Sequence, residues 1–152
     1  MGILLSDIFD PRSIKLNLEG TDKEAVFAEL VGLAAALRPE FRHADVLAAI
    51  VERENRMSTG IAPGLAIPHA FYERAGGITG AIGISRSGIR YDAMDGKPVY
   101  AVFMLITGKD AREDHLQVLN RICTMAQSEG IASIRGAKTP DDVLALLSRF
   151  WK

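Results

Sequence analysis

Residues 99–106 read Val-Tyr-Ala-Val-Phe-Met-Leu-Ile, an uncharged run rich in β-branched and aromatic strand formers. Such a run predicts a strand covered on both faces, because an exposed face would interrupt it with polar residues at every second position. It is also far shorter than the roughly 20 residues a helix needs to cross a bilayer. The chain must therefore supply cover on two sides of one central strand. The flanking sequence supplies it as helices.

Thr21-Asp22-Lys23-Glu24 reads as a capping box, and Val26, Leu30, Leu33 and Leu37 follow at helical spacing, predicting a helix that ends before Arg38-Pro39. A second helix is predicted from about Ala44 to Asn55, with Val46, Leu47, Ile50 and Val51 facing inward and Arg53 at its C-terminal end. After Gly108 a third carries Leu116, Leu119, Ile122, Cys123 and Ala126 on one stripe, with His115 on that stripe near the helix start. Thr139-Pro140-Asp141-Asp142 opens the last helix with a hydroxyl cap, a proline in the first turn and acidic residues against the dipole; Val143, Leu144, Leu147 and Phe150 form its buried face. Between helices, Ile14, Leu16 and Leu18 alternate with polar residues until Gly20, and Ile78, Ile82 and Ile84 mark a strand over Thr79 to Ser85. Asp95-Gly96 marks a turn. Interleaved helices and strands predict an α/β fold: one domain over residues 1–152, an α/β/α sandwich with a mixed central sheet flanked by helices.

Composition narrows the function classes. With 152 residues, 48% hydrophobic and 24% charged, the chain has the means for a real core, so disordered and fibrous classes fall away. A net charge of -1 with interspersed signs argues against a nucleic-acid binder or a polybasic membrane surface. Asp7 and Asp10 interrupt the N-terminus before any leader-like apolar segment forms, which points to the cytoplasm. The single cysteine, Cys123, excludes an internal disulfide and sits on the third helix's apolar stripe as a small hydrophobe.

The chemistry concentrates between Arg53 and His69. A helix ending in Arg53-Glu54 is followed by Ser58-Thr59-Gly60, Ala62-Pro63-Gly64 and Leu65-Ala66-Ile67-Pro68-His69. Gly60 and Gly64 let a ligand approach the main chain. Pro68 fixes its own φ and biases Ile67 toward extended geometry, so His69 leaves a strand end in a defined direction. This stretch resembles the phosphorylation-site signature of the mannitol/fructose-type enzyme IIA domains of the bacterial phosphotransferase system, including the stand-alone nitrogen-regulatory members. The resemblance covers nearly the whole chain, with Asp114-His115-Leu116-Gln117 matching the family's second histidine. Ala62-Pro63 departs from it, standing where the family commonly has Gly-Asn.

The resemblance implies the same fold class and a phosphocarrier whose His69 accepts a phosphoryl group from the phosphohistidine of HPr. It also implies that Arg53 and His115 line that site. The residue types suit such a transfer, since a neutral imidazole is a nucleophile at physiological pH and Arg53 can meet phosphoryl oxygens with a planar guanidinium. His115 is a second, supporting donor, and Ser58, Thr59, Gly60 and Gly64 form the phosphate-site loop. Against these stand plainer readings: a hydrogen-bonded structural His69, an Arg53 that complements its helix dipole, a Glu54 paired with a neighbouring cation, and Arg56 and His43 in solvent.

Three function classes are distinguished. A phosphocarrier passes the group to a cysteine of an enzyme IIB or changes its hold on a regulated kinase or transporter. A binding module of the same fold docks without phosphotransfer. A metal-dependent hydrolase would use His69, His115 and Asp114, but no His-x-x-x-His pair exists and there are three histidines in all, so neither metal nor cofactor is expected. No fused IIB, IIC or HPr-like segment follows before Lys152, which favours the nitrogen-regulatory branch over a fructose/mannitol transport component.

Overall fold

A computed structural model describes residues 3–60 and 62–151; Ile61, in the signature loop, lies outside the described residues. The elements run α1 (Leu5–Ile8), β1 (Phe9–Lys15), α2 (Lys23–Leu37), α3 (His43–Arg56), β2 (Leu65–Ala66), β3 (His69–Phe71), β4 (Ile78–Ile89), β5 (Val99–Thr107), α4 (Arg112–Gln127), α5 (Gly130–Arg135) and α6 (Pro140–Ser148). A short 3-10 turn, Lys109–Ala111, leads into α4.

The uncharged run becomes β5, and its neighbours make the sheet mixed. β4 pairs with it antiparallel, β1 lies parallel on the far side of β4, and β2 and β3 lie parallel to β5 on its other edge. Successive side chains of a strand point to opposite faces, so β5 feeds two cores. Ala101, Phe103 and Leu105 join Ile82, Ile84, Val118, Ile122 and Leu147 on the face covered by α4 to α6. Val102, Met104 and Ile106 join Val26, Leu30, Val46 and Ile50 on the face covered by α2 and α3. The result is the expected α/β/α sandwich.

Several expectations need correction. The first strand begins at Phe9 and stops at Lys15, though Leu18 N–H still donates to the Ile84 carbonyl at 2.9 Å; Pro11 and a register shift between Phe9 and Ile14 make it an irregular edge. There the Ser13 hydroxyl reaches the Asp10 and Gly80 carbonyls, each at 2.9 Å, where the ladder is broken. α2 is capped by Asp22, which accepts from Ala25 N–H at 3.0 Å, one residue later than a Thr21 box would require. Thr21 instead offers its carbonyl to Arg90 N–H. The buried face of α2 is Val26, Phe27, Leu30, Val31 and Ala34; Leu33 and Leu37 are half-buried. β4 runs on to Ile89, past Ser85, through an irregularity after Ile84.

α4 is also rotated from the expected stripe. His115, Val118, Ile122 and Met125 are its buried residues, while Leu116 is 62% exposed. α6 starts as its sequence signals require: Thr139 accepts from Asp142 N–H, the Asp142 carboxylate accepts from Thr139 N–H, and Pro140 opens the helix, which ends at Ser148 and leaves Phe150 beyond it. Among the described residues no helix is long and apolar enough to cross a membrane.

Candidate functional site

Three elements meet at the C-terminal end of β5. β3 lies parallel to it with His69 opposite Leu105 and Phe71 opposite Thr107. α4 starts a few residues beyond Thr107 and carries His115 back over the strand end, and α3 runs alongside β3 with Arg53 near its own end. Ligand sites of open α/β sheets form outside the carboxyl ends of strands. His69 sits at the start of β3, after a two-residue gap from β2, so the histidine opens a short strand instead of trailing one.

The backbone on either side of His69 is tied down. Ile67 N–H donates to the Thr59 carbonyl at 3.1 Å, and the Pro68 carbonyl accepts from Leu105 N–H at 3.0 Å. The ring is fixed as well: Nδ1 lies 2.7 Å from the Ile67 carbonyl oxygen. A carbonyl only accepts, so Nδ1 carries the hydrogen, and in the neutral ring Nε2 carries the lone pair. Burial lowers the His69 pKa, and the Arg53 charge lowers it further against the opposing pull of the Ile67 carbonyl and Glu54. Both effects keep the ring neutral and nucleophilic at physiological pH.

His115 packs against it with ring centroids 5.1 Å apart, and Phe71 sits 5.1 Å from His115 on another side. His115 is 3% exposed, and its Nδ1 lies 2.7 Å from the Thr107 hydroxyl. Burial, with His69 adding to it, holds its pKa down to about 4. Two adjacent neutral imidazoles thus stand at the strand end. His69 also lines a cleft of about 310 Å³ shared with Ala49, Glu52, Arg53, Arg56, Ala70 and Phe71. Two arginines therefore line the same space as the imidazole. Arg53 donates one N–H to the Met57 carbonyl at 3.0 Å, closing the end of α3, and Arg56 pairs with Glu52 at 3.2 Å.

The loop expected to hold phosphate is placed differently. Thr59 is buried with both donors committed: its N–H reaches Glu54 Oε2 at 2.9 Å and its hydroxyl reaches Glu54 Oε1 at 2.6 Å. That is a correction, since neither donor is left for a ligand. Ser58 Oγ accepts from Gly60 N–H at 3.1 Å. Gly60 is needed for packing: a Cβ there would stand 2.7 Å from Ala93 Cβ and 3.1 Å from Ala93 Cα. Gly64 turns the chain with φ +76° and gives its carbonyl to Tyr100 and Ala101 N–H. Ala101 lies four residues up β5 from Leu105, about 13 Å from the level of His69, so Gly64 shapes the turn and does not reach the site.

Sequence reasoning passed over two contributors: Phe71 is 38% exposed beside the cleft with the Arg112 guanidinium 4.6 Å from its ring centre, and Thr107 holds His115. Arg56 is exposed, as expected, and lines the cleft from the same helix face as Arg53, three residues before it. Glu54 pairs with a cation as expected, Lys23 at 3.1 Å, but is itself buried. His43 is exposed, as expected. Among the described residues no three His, Cys, Asp or Glu side chains converge as metal ligands would.

An α/β/α sandwich that brings two packed histidines to the end of its central strand, beside a cleft lined by two arginines of α3, has the groups that an anion-binding site needs. The family model described as phosphoenolpyruvate-dependent sugar phosphotransferase system, EIIA 2, matches residues 7–150, and the chain belongs to that family. It is 31% identical to a nitrogen regulatory protein of Pseudomonas aeruginosa, over 91% of each chain. It is 34% identical to a fructose-specific EIIA component of Haloferax volcanii, over 93% of this chain and 94% of that one. Against the fructose-specific EIIABC component of Bacillus subtilis it is 32% identical over 95% of its own length, but spans 23% of that protein. Among solved structures, the nitrogen regulatory protein IIA-Ntr of Neisseria meningitidis superposes with a TM-score of 0.87 at 31% identity, covering 95% of this chain and 99% of that one. The mannitol enzyme IIA of Escherichia coli, solved in complex with phosphorylated enzyme IIB, shares the fold at a TM-score of 0.77 and 16% identity, covering 93% of this chain and 97% of that one.

Proposed function

We propose that this chain is a phosphocarrier of the nitrogen-regulatory type, with His69 Nε2 as the phosphoryl acceptor and an HPr-like phosphohistidine protein as the donor. The observation that carries the reading is the bond from His69 Nδ1–H to the Ile67 carbonyl, which leaves the Nε2 lone pair as the nucleophile in a ring that lines the arginine-bearing cleft. In the transfer, that lone pair forms the new N–P bond while the donor's N–P bond breaks and returns its electron pair to the donor ring. No proton has to leave His69. Retaining the Nδ1 proton against Ile67 makes the phosphorylated ring a better leaving group, so the same bond favours onward transfer.

Arg53 meets the phosphoryl oxygens with its remaining N–H donors, and Arg56 adds positive charge to the same wall. His115 supports: its Nδ1 is held by the Thr107 hydroxyl, and in the tautomer in which that hydroxyl donates, Nε2–H is the donor towards the phosphoryl group. The nitrogen-regulatory assignment draws on the IIA-Ntr structure and the Pseudomonas relative. A second reading, a separate IIA component that passes the group to a IIB cysteine, draws on the Haloferax relative.

Phosphorylation from phosphoenolpyruvate with enzyme I and HPr, followed by intact mass, tests the acceptor. The expected result is one acid-labile phosphoryl group in the wild type and none in His69→Ala. Retention of the adduct in His69→Ala would overturn it. Transfer from the phosphorylated protein to a fructose-type IIB would favour the second reading over the first.

A further inference from the structure

Behind His69 lies a buried carboxylate that the transfer chemistry does not use. Glu54 is 5% exposed, on the last turn of α3. It is fully partnered: Lys23 Nζ at 3.1 Å, the Thr59 N–H and hydroxyl, and the Tyr91 hydroxyl at 3.2 Å. Lys23 comes from the start of α2 and lies 4.7 Å from the centre of the Tyr91 ring, so two helices and the segment after β4 close around one carboxylate.

The arrangement continues toward His69 without a gap. Glu54 holds both donors of Thr59; the Thr59 carbonyl accepts Ile67 N–H at 3.1 Å; the Ile67 carbonyl accepts His69 Nδ1–H at 2.7 Å. Ile67 is 1% exposed, so no water competes for its carbonyl. Pro68 has no N–H and a fixed φ, which removes one way for that peptide to reorient.

We infer that Glu54 is a positioning residue for His69, acting through Thr59 and the Ile67 peptide to hold the imidazole in its Nδ1–H tautomer with Nε2 toward the cleft. The partners of Glu54 itself are Lys23, Thr59 and Tyr91. The inference deepens the acceptor assignment of His69 and rests on it.

The test reads the ring directly. Two-bond proton–nitrogen NMR of the whole protein at neutral pH reports which His69 nitrogen carries hydrogen, and the transfer rate from phosphorylated HPr is measured alongside. In the wild type His69 is expected as a single Nδ1–H tautomer. In Glu54→Gln, which keeps the shape but loses the charge and one acceptor, both tautomers are expected and transfer slows by roughly tenfold, as a misaimed reacting atom costs. Thr59→Val, which removes the hydroxyl and its bonds to Glu54 and Tyr91, moves the same way; Thr59→Ser, which restores the hydroxyl, behaves as wild type.

A single Nδ1–H tautomer in both Glu54→Gln and Thr59→Val, with transfer within twofold of wild type, would overturn the inference. Should Glu54→Gln fail to fold, the tautomer state of Thr59→Val decides in either direction. Failure of the two readings is separable. A wild type that takes no phosphoryl group, yet loses its single tautomer in these variants, refutes His69 as acceptor and upholds the relay. Phosphorylation on His69 with an unmoved tautomer does the reverse.

Discussion

Replacing Arg53 isolates the electrostatic contribution to transfer. Among the described residues its side chain bonds the Met57 carbonyl, at the exposed end of α3, where water can replace it. Arg53→Met should therefore change stability by no more than about 0.5–1 kcal/mol. A hydrogen bond to a charged group contributes about 1.5–3 kcal/mol, which corresponds to a roughly 10- to 150-fold slower transfer from phosphorylated HPr. Arg53→Lys keeps the charge but loses the planar fork, and should fall between the two. A second effect must be separated from this one. The Arg53 charge helps to keep His69 unprotonated, so its removal lets the His69 pKa rise toward the ordinary value and withdraws nucleophile near neutrality. That part of the loss disappears as pH rises; the lost phosphoryl contact does not. Stopped or quenched transfer kinetics from pH 6.5 to 8.5 resolve them. A rate within twofold of wild type throughout, or a deficit that vanishes completely at the upper end, would refute phosphoryl contact by Arg53.

Two further outcomes follow from burial. The folded-state pKa of His115 is about 4 against an ordinary 6.5, so the unfolded chain binds its proton first as pH falls. Its contribution to stability is full above about 6.5 and declines by about 3 kcal/mol as pH falls through 4. Chemical denaturation of His115→Gln, which can still bond Thr107, should show a correspondingly shallower acid limb, and an unchanged limb would place the loss elsewhere. On α4, Leu116→Ala should leave stability within about 0.5 kcal/mol while Ile122→Ala costs about 2–5 kcal/mol by the same assay. Equal costs would contradict the observed rotation of that helix.

What could be read in advance was what local chemistry dictates. The run from Val99 demands cover on both faces wherever it lies, Thr139 and Asp142 cap α6 through bonds three residues apart, and Pro68 directs His69 by its own ring. Each of these acts within a few residues, so the sequence alone determines it. The phase of α4 was not determined that way. Leu116 and Val118 are both apolar, and spacing fixes a helix's period without saying which of two overlapping stripes meets the sheet. Thr59 reads as a phosphate ligand until its partner is known, and Glu54 only as the partner of a neighbouring cation until Lys23, Thr59 and Tyr91 close over it. Tyr91 lies 37 residues from Glu54 along the chain, and that meeting exists only because the segment after β4 and α3 join the same core on one face of the sheet. So the sequence determined that His69 is presented in a defined direction. Only the tertiary structure decided what stands around it, because burial and partnership are set by which elements cover one another, and no local window contains that.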